Sequence, residues 1–223
     1  MLGVIFTGAE APKPQVIKQI LKTQRDALFI AADSGLTSAE NAGIKPDWII
    51  GDMDSLEDTS RLCAYPQERI IRLQHEKDFS DTEMAVSLAV DKGCKSIWII
   101  GGGGGRTDHL FAIRSLFERE HFPRRWITGT EEIFCIDAQQ TEENAIHFSL
   151  KSNASVSVFP LGDGPWKAVS TGLKWPLEDL RWSRGFFGLS NVAQDGEFAI
   201  TAHLGRFMIL LSVQDSIFTL FGR

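Results

Sequence analysis

With 223 residues, 43% of them hydrophobic, the chain can bury a real core and stands between one large domain and two small ones. Its net charge of −6 and pI near 5.4 argue against a nucleic-acid surface, and no apolar stretch approaches the ~20 residues that cross a bilayer. Three scattered cysteines, Cys63, Cys94 and Cys135, form neither a Cys-x-x-Cys pair nor a disulfide framework, so a reducing cytoplasm is the expected setting.

Met1 to Gly8 lacks the basic lead of a secretory signal and reads as a first strand. Strand-like runs come next near 28–32, 47–50, 69–73, 96–100 and 125–128, alternating with helical periods over 14–24, 35–42, 81–92 and 107–119. That alternation predicts βαβ units and a mostly parallel, Rossmann-like sheet over residues 1–137, with 131–137 as an edge strand leading out of the first domain. Beyond it, short alternating runs such as 154–159, 197–201 and 206–211 are punctuated by turns at Gly162-Asp163-Gly164-Pro165 and Asp195-Gly196. Residues 138–223 therefore read as an all-β sandwich or barrel domain.

Three of the first-domain runs finish on an acid or a glycine, at Asp33, at Gly51-Asp52-Met53-Asp54, and at Gly101 to Gly105. A parallel sheet gathers its carboxyl ends on one edge, so these termini would bring carboxylates and a bare backbone loop into one crevice suited to a metal and a phosphate. Asp52 and Asp54 are two apart, and in extended backbone both would project to the same side. A shared Mg²⁺ relieves the repulsion between such carboxylates and suits oxygen ligands. A calcium loop fails, because Leu56 and Glu57 stand where it needs an oxygen ligand and a glycine.

In Glu76-Lys77-Asp78-Phe79-Ser80-Asp81-Thr82-Glu83, Ser80 or Asp81 caps the next helix. A helix N-terminus at the carboxyl edge offers N–H groups to a phosphate, with Lys77 as a positive charge beside it. Asp78 and Asp81 would then join the magnesium shell or accept a substrate proton. The glycine run lies between a strand and a helix, where a phosphate-cradling loop belongs. It matches neither the Walker pattern, since no Gly-Lys-Ser/Thr comes after it, nor the dinucleotide pattern, whose third glycine is replaced by Arg106. Arg106 reads as a fork-shaped clamp on phosphate oxygens, and His109 reads as a packing histidine rather than a base that the spacing demands.

These segments resemble the thiamine pyrophosphokinase family. The likeness runs through Ala32-Asp33-Ser34-Gly35, Pro46 to Ser55, Asp78-Phe79-Ser80-Asp81 and Gly104-Gly105-Arg106-Thr107-Asp108-His109. It continues in Thr171-Gly172-Leu173-Lys174-Trp175-Pro176-Leu177 and Gly188-Leu189-Ser190-Asn191. It implies an N-terminal α/β catalytic domain that binds ATP and magnesium, a C-terminal β domain that binds thiamine, and a homodimer with the vitamin near the subunit interface. The implied reaction moves a diphosphate from ATP to the thiamine hydroxyl, giving thiamine diphosphate and AMP. Carried over, Asp33, Asp52, Asp54 and Asp78 are the metal set, and Asp54, Asp78, Asp81 and Arg106 the catalytic set. The nucleotide side comprises Asp33, Ser34, Gly35, Lys77, Ser80, Gly104, Gly105, Arg106, Asp108 and His109, and the thiamine side Ser190, Asn191 and Trp175. Ser34 replaces a glycine common in the first motif, Ser80 a threonine, and Val192 an acid frequent after Asn191.

Two other readings remain open from the residues. Ile49-Ile50-Gly51-Asp52-Met53-Asp54-Ser55 also resembles the nucleophile motif of haloacid-dehalogenase-like phosphatases, with Asp52 forming an aspartyl phosphate, although that fold opens on the motif strand and two strands precede it here. A non-catalytic nucleotide or vitamin sensor is the other. Retained carboxylates argue against it, since unpaired charges destabilise a fold.

Overall fold

The computed structural model describes residues 1–24, 26–56, 58–74, 78–140, 144–150 and 153–213. The chain forms two compact units, Met1–Gly129 and Thr130–Arg223. The division falls after Gly129, not after Asp137. The strand expected at 131–137 forms as β7 (Glu131–Asp137) and runs antiparallel to β13 (Arg206–Ser212) along its whole length.

In the first unit, β1 (Leu2–Phe6), β2 (Leu28–Ala32), β3 (Trp48–Gly51), β4 (Ile70–Arg72), β5 (Ser96–Ile100) and β6 (Arg125–Ile127) are joined in the order β6-β5-β1-β2-β3-β4. Every one of these pairings is parallel. Continuous apolar runs are what a sheet covered on both faces requires, and Val4, Ile5, Phe6, Ile30, Ile49, Ile50, Ile99 and Ile100 are buried. The chain walks outward from β1 to β4, then returns to the far side of β1 for β5. The order therefore reverses between β1 and β5, the point where an open α/β sheet leaves a crevice beyond its carboxyl ends.

Among the described residues, four helices make crossovers: α1 (Pro14–Ile20), α2 (Gly35–Asn41), α3 (Asp81–Asp91) and α4 (Thr107–Leu116). α1 and α4 stop short of the expected ends because their last turns tighten. Lys22 and Gln24 bond the carbonyls of Gln19 and Leu21, and Phe117, Glu118 and Arg119 those of Arg114, Ser115 and Leu116, all three residues back. Between β3 and β4 the crossover consists of 3₁₀ turns at Thr59–Ala64 and Gln67–Arg69, which the apolar spacing did not predict. Asp58 starts the first by accepting the Ser60 N–H at 2.9 Å. Met53, Leu56, Leu62 and Tyr65 then pack against Ala31, Leu36 and Ile49. The carboxylate of Glu40 on α2 accepts from Tyr65 Oη at 2.9 Å and pairs with Arg61, whose other arm donates to Thr37 Oγ1 at 3.0 Å.

The second unit holds two antiparallel sheets, β11-β9-β13-β7 and β10-β12-β8, with β8 Ala145–Ser149, β9 Ser155–Leu161, β10 Lys167–Thr171, β11 Gly188–Val192 and β12 Glu197–Leu204. Alternate residues of both sheets, including Phe134, Phe148, Val156, Val158, Phe198, Ile200, Phe207 and Ile209, fill one core. The rings of Phe148 and Phe198 stack at 4.8 Å, and Phe134 meets Phe148 edge-on at 5.0 Å. Among the described residues no helix is long and apolar enough to cross a membrane.

Candidate active site

Asp33 comes directly after β2, and its N–H bonds the Ile50 carbonyl of β3 at 2.9 Å. The residue takes φ +46°, a left-handed conformation that aspartate tolerates better than most side chains. Asp52 comes directly after β3, whose last residue, Gly51, has φ +151°. A methyl group on Gly51 would lie 3.1 Å from Asp33 Cβ and 3.3 Å from its Cα, so the missing side chain lets the two strand ends close up. Asp81 opens α3, where Ser80 is the N-cap and its Oγ accepts the Glu83 N–H at 3.2 Å.

The three elements bring carboxylate oxygens of Asp33, Asp52 and Asp81 within 4.8 Å of one another. Asp33 is only 8% exposed, and its Oδ1 is buried with no hydrogen-bond partner. Burial is the main force raising the Asp33 pKa above the ordinary carboxylate value, and the charges of Asp81 and Asp54 add to it. Hydrogen bonds from Ser55 and the Ser34 N–H work the other way. A buried acceptor without a donor, beside two more carboxylates, is a ligand set that a cation would satisfy.

Of the metal set carried over from the resemblance, the structure gathers Asp33 and Asp52 and adds Asp81. Asp54 and Asp78 are exposed and lie outside this triad. Strand periodicity does not govern Asp52 and Asp54, because β3 ends at Gly51 and Met53 turns left-handed at φ +65°. Met53 is buried, and its descent into the core reverses the chain so that the Asp54 N–H reaches back to Asp52 Oδ1 at 3.3 Å. Asp54 accepts from Ser55 Oγ at 3.0 Å. Ser34 is the N-cap of α2, and Gly35 presses on β1, where a methyl group would sit 2.2 Å from the Phe6 carbonyl oxygen. Lys77 lies outside the described residues.

The glycine run is less open than its composition suggests. Methyl groups at Gly101, Gly102, Gly103 and Gly104 would meet Thr7 O at 2.3 Å, Ile113 Cδ1 at 2.3 Å, Thr128 Cβ at 2.7 Å and Glu10 Oε2 at 2.7 Å. Gly105 alone faces open space. Most of these glycines thus let the loop pack against the β1 and β6 ends and α4, and two backbone bonds between Glu10 and Gly103, at 2.8 and 2.9 Å, fix it there. Arg106 forms a two-pronged ion pair with Asp108 at 2.6 and 3.2 Å, both side chains exposed. That pairing raises the Arg106 pKa and lowers that of Asp108. His109 is exposed on the first turn of α4, so the packing role expected for it does not hold.

On the second unit, Asn191 of β11 is buried, and its side chain is spent on the backbone. Its Oδ1 accepts from the N–H groups of Trp175 at 3.1 Å and Val192 at 2.8 Å, and its Nδ2 donates to Trp175 O at 2.6 Å. Trp175 is 51% exposed, with Lys174 Nζ 4.6 Å from its ring centre. Ser190 is exposed at φ +55° in a bulge of β11, and its N–H bonds Ser157 Oγ at 3.1 Å. Asn191 is thus a brace under Trp175, a role that a chain separation of 16 residues conceals in the sequence.

Known proteins resemble this chain in sequence and in fold. Residues 19–126, from before β2 into β6, match the family model of the thiamin pyrophosphokinase catalytic domain, and contain the acid triad and the glycine loop. The chain is 27% identical over 169 residues to the thiamine pyrophosphokinase of Bacillus subtilis, an alignment spanning 73% of this chain and 76% of that protein. It is 25% identical over 167 residues to thiamine pyrophosphokinase 1 of rice, spanning 71% of this chain and 63% of the rice protein. The crystal structure of the B. subtilis enzyme superposes with a TM-score of 0.76 at 22% identity, over 95% of this chain and 99% of that one. That of Geobacillus thermodenitrificans thiamin pyrophosphokinase gives 0.72 at 24% identity, over 95% and 97%. Asp52 sits after the third strand and not the first, unlike the opening strand that a dehalogenase-like nucleophile requires. Residues 19–126 thus carry the catalytic-domain pattern of the thiamine pyrophosphokinases, and the chain shares the fold of their solved structures.

Proposed function

We propose that this protein transfers a diphosphate from ATP to the primary hydroxyl of thiamine, releasing AMP. The observation that carries the reading, beside the match of residues 19–126 to the family's catalytic domain, is the convergence of Asp33, Asp52 and Asp81 around the buried, unpartnered Asp33 Oδ1. An all-oxygen donor set of this charge fits a hard divalent cation such as Mg²⁺. Bound by these residues, Mg²⁺ would neutralise triphosphate oxygens. The rest is the work of the chain. Asp33, Asp52 and Asp81 would hold the cation, with the charge of Asp54 nearby. The N–H groups opening α3 and the backbone at Gly104 and Gly105 face the phosphates. Arg106 exchanges its Asp108 partner for phosphate oxygens, a trade between two anions for one fork of donors.

The thiamine oxygen forms its bond to the β-phosphorus as the bond from that phosphorus to the bridging oxygen of AMP breaks. The hydroxyl proton passes to a carboxylate, Asp54 or Asp81, and the leaving AMP keeps the bridging oxygen. Positioning and electrostatics supply most of such a reaction's acceleration. Trp175, held by Asn191, offers an aromatic face to the cationic thiazolium ring. The scattered cysteines, none in a Cys-x-x-Cys spacing, support a cytoplasmic setting, and the family resemblance supports a homodimer. Incubation with thiamine, ATP and Mg²⁺ tests the reading, with AMP and thiamine diphosphate expected in equal amounts. Orthophosphate release would instead favour an aspartyl phosphatase on Asp52, and binding without turnover a sensor.

A further inference from the structure

The three acids are not anchored alike. Asp33 and Asp52 extend directly from neighbouring strands, whereas Asp81 arrives on the first turn of α3, so its distance from them depends on how that turn is docked. Thr82, the next residue, supplies a fastening. Its hydroxyl lies 2.6 Å from that of Thr7, which is 75 residues away in the chain, and both threonines are buried.

Thr7 also touches the glycine loop. It comes immediately after β1, and its N–H bonds the Ile100 carbonyl at the end of β5 at 2.9 Å, which places it at the reversal point of the sheet. A methyl group on Gly101 would lie 2.3 Å from the Thr7 carbonyl oxygen, and one on Gly102 3.2 Å from its Cγ2. One residue thus meets α3 through its hydroxyl and the loop through its carbonyl and methyl. A buried hydroxyl pair is short and directional, and a hydroxyl left without its partner is costly, so the pair fixes the first turn of α3 more tightly than apolar packing would.

We propose that Thr7 and Thr82 are a positioning pair that sets the metal affinity of the acid cluster by holding Asp81 in register with Asp33 and Asp52. The inference rests on the metal-site reading above. Both threonines are buried, and both act through Asp81. Removing one hydroxyl leaves the other orphaned and loosens the helix turn. Removing both takes away the orphan but not the loosening, so stability and metal affinity part company.

The test is direct calorimetric titration with Mn²⁺, in parallel with thermal unfolding, on wild type, Thr82→Val, the double variant Thr7→Val/Thr82→Val, and Thr82→Ser. The pair predicts Mn²⁺ binding weakened about tenfold in Thr82→Val, an equal weakening in the double variant despite recovered thermal stability, and near-wild-type values for both in Thr82→Ser. Mn²⁺ affinity that tracks thermal stability across the series, or that is unchanged in Thr82→Val, would overturn the pair alone. Wild type that binds no Mn²⁺, or binds it equally well after Asp52→Asn, would overturn the metal reading and the pair with it.

Discussion

Gly51→Ala joins backbone, packing and site in one perturbation. At φ +151° an L side chain is strained, typically by about 1–3 kcal/mol. The added methyl would stand 3.1 Å from Asp33 Cβ and 3.3 Å from both its Cα and its N, inside the ~3.5–4.0 Å at which carbon contacts are attractive. Those neighbours are backbone or next to it, so relief requires Asp33 to retreat by a few tenths of an ångström. Overpacking of this kind adds roughly 1–3 kcal/mol. The sum, about 2–6 kcal/mol, corresponds to a fall of roughly 4–24 °C in the unfolding temperature for a chain of this size. Retreat of Asp33 also widens its gap to Asp52, one residue beyond the substitution, so the Mg²⁺ concentration for half-maximal activity should rise about tenfold. Thermal unfolding followed by tryptophan fluorescence, with Mg²⁺ titration of AMP formation, measures both effects. An alanine variant melting within about 1 °C of wild type, with an unchanged Mg²⁺ requirement, would refute the close-approach argument.

Three further outcomes are expected from the site. The native Asp33 carboxyl holds its proton more tightly than the unfolded one. Its contribution to stability is therefore full below the unfolded value of about 3.9 and is lost as pH rises through the higher native value. In EDTA, the difference in unfolding temperature between wild type and Asp33→Asn should shift against wild type over that interval, and a pH-independent difference would contradict it. Asn191→Ala strips hydrogen bonds from the Trp175 backbone and should destabilise the second unit by about 1–3 kcal/mol while raising the thiamine KM; denaturant melts and steady-state kinetics check it, and Ser190→Ala should leave stability unchanged. Arg106→Ala breaks only an exposed pair, so its unfolding temperature should match wild type while the ATP KM rises about tenfold; an unaltered ATP KM would remove Arg106 from the phosphate grip.

The parallel sheet and the acids at its edge were legible because a strand buried on both faces announces itself as an unbroken apolar run, and the residues just past the end of such a run must lie at the carboxyl edge. Asp33 and Asp52 could be assigned to that edge for this reason, and Asp81 because the N-terminus of the helix after a strand lies at the same edge. The sequence was misleading where a local turn overrides periodicity, as at Met53, whose left-handed backbone cancels the same-side argument for Asp52 and Asp54. It was silent where partners lie far apart in the chain. Nothing near Thr7 signals Thr82, and nothing near Asn191 marks it as the brace of Trp175. The glycine run invited a single explanation, an open cradle, whereas each glycine from Gly101 to Gly104 answers to a different packed neighbour. Residues 131–137 read as a strand from their apolar run, but their partner β13 lies far along the chain, and only the register shows it.

A crystal soaked with Mn²⁺ and a nonhydrolysable ATP analogue, with data collected at the manganese absorption edge, tests the account at its centre. An anomalous peak within coordination distance of Asp33, Asp52 and Asp81, bridging them to the triphosphate, is the predicted result. A triphosphate bound without a metal at those three carboxylates, or with its metal held by other residues, would contradict it.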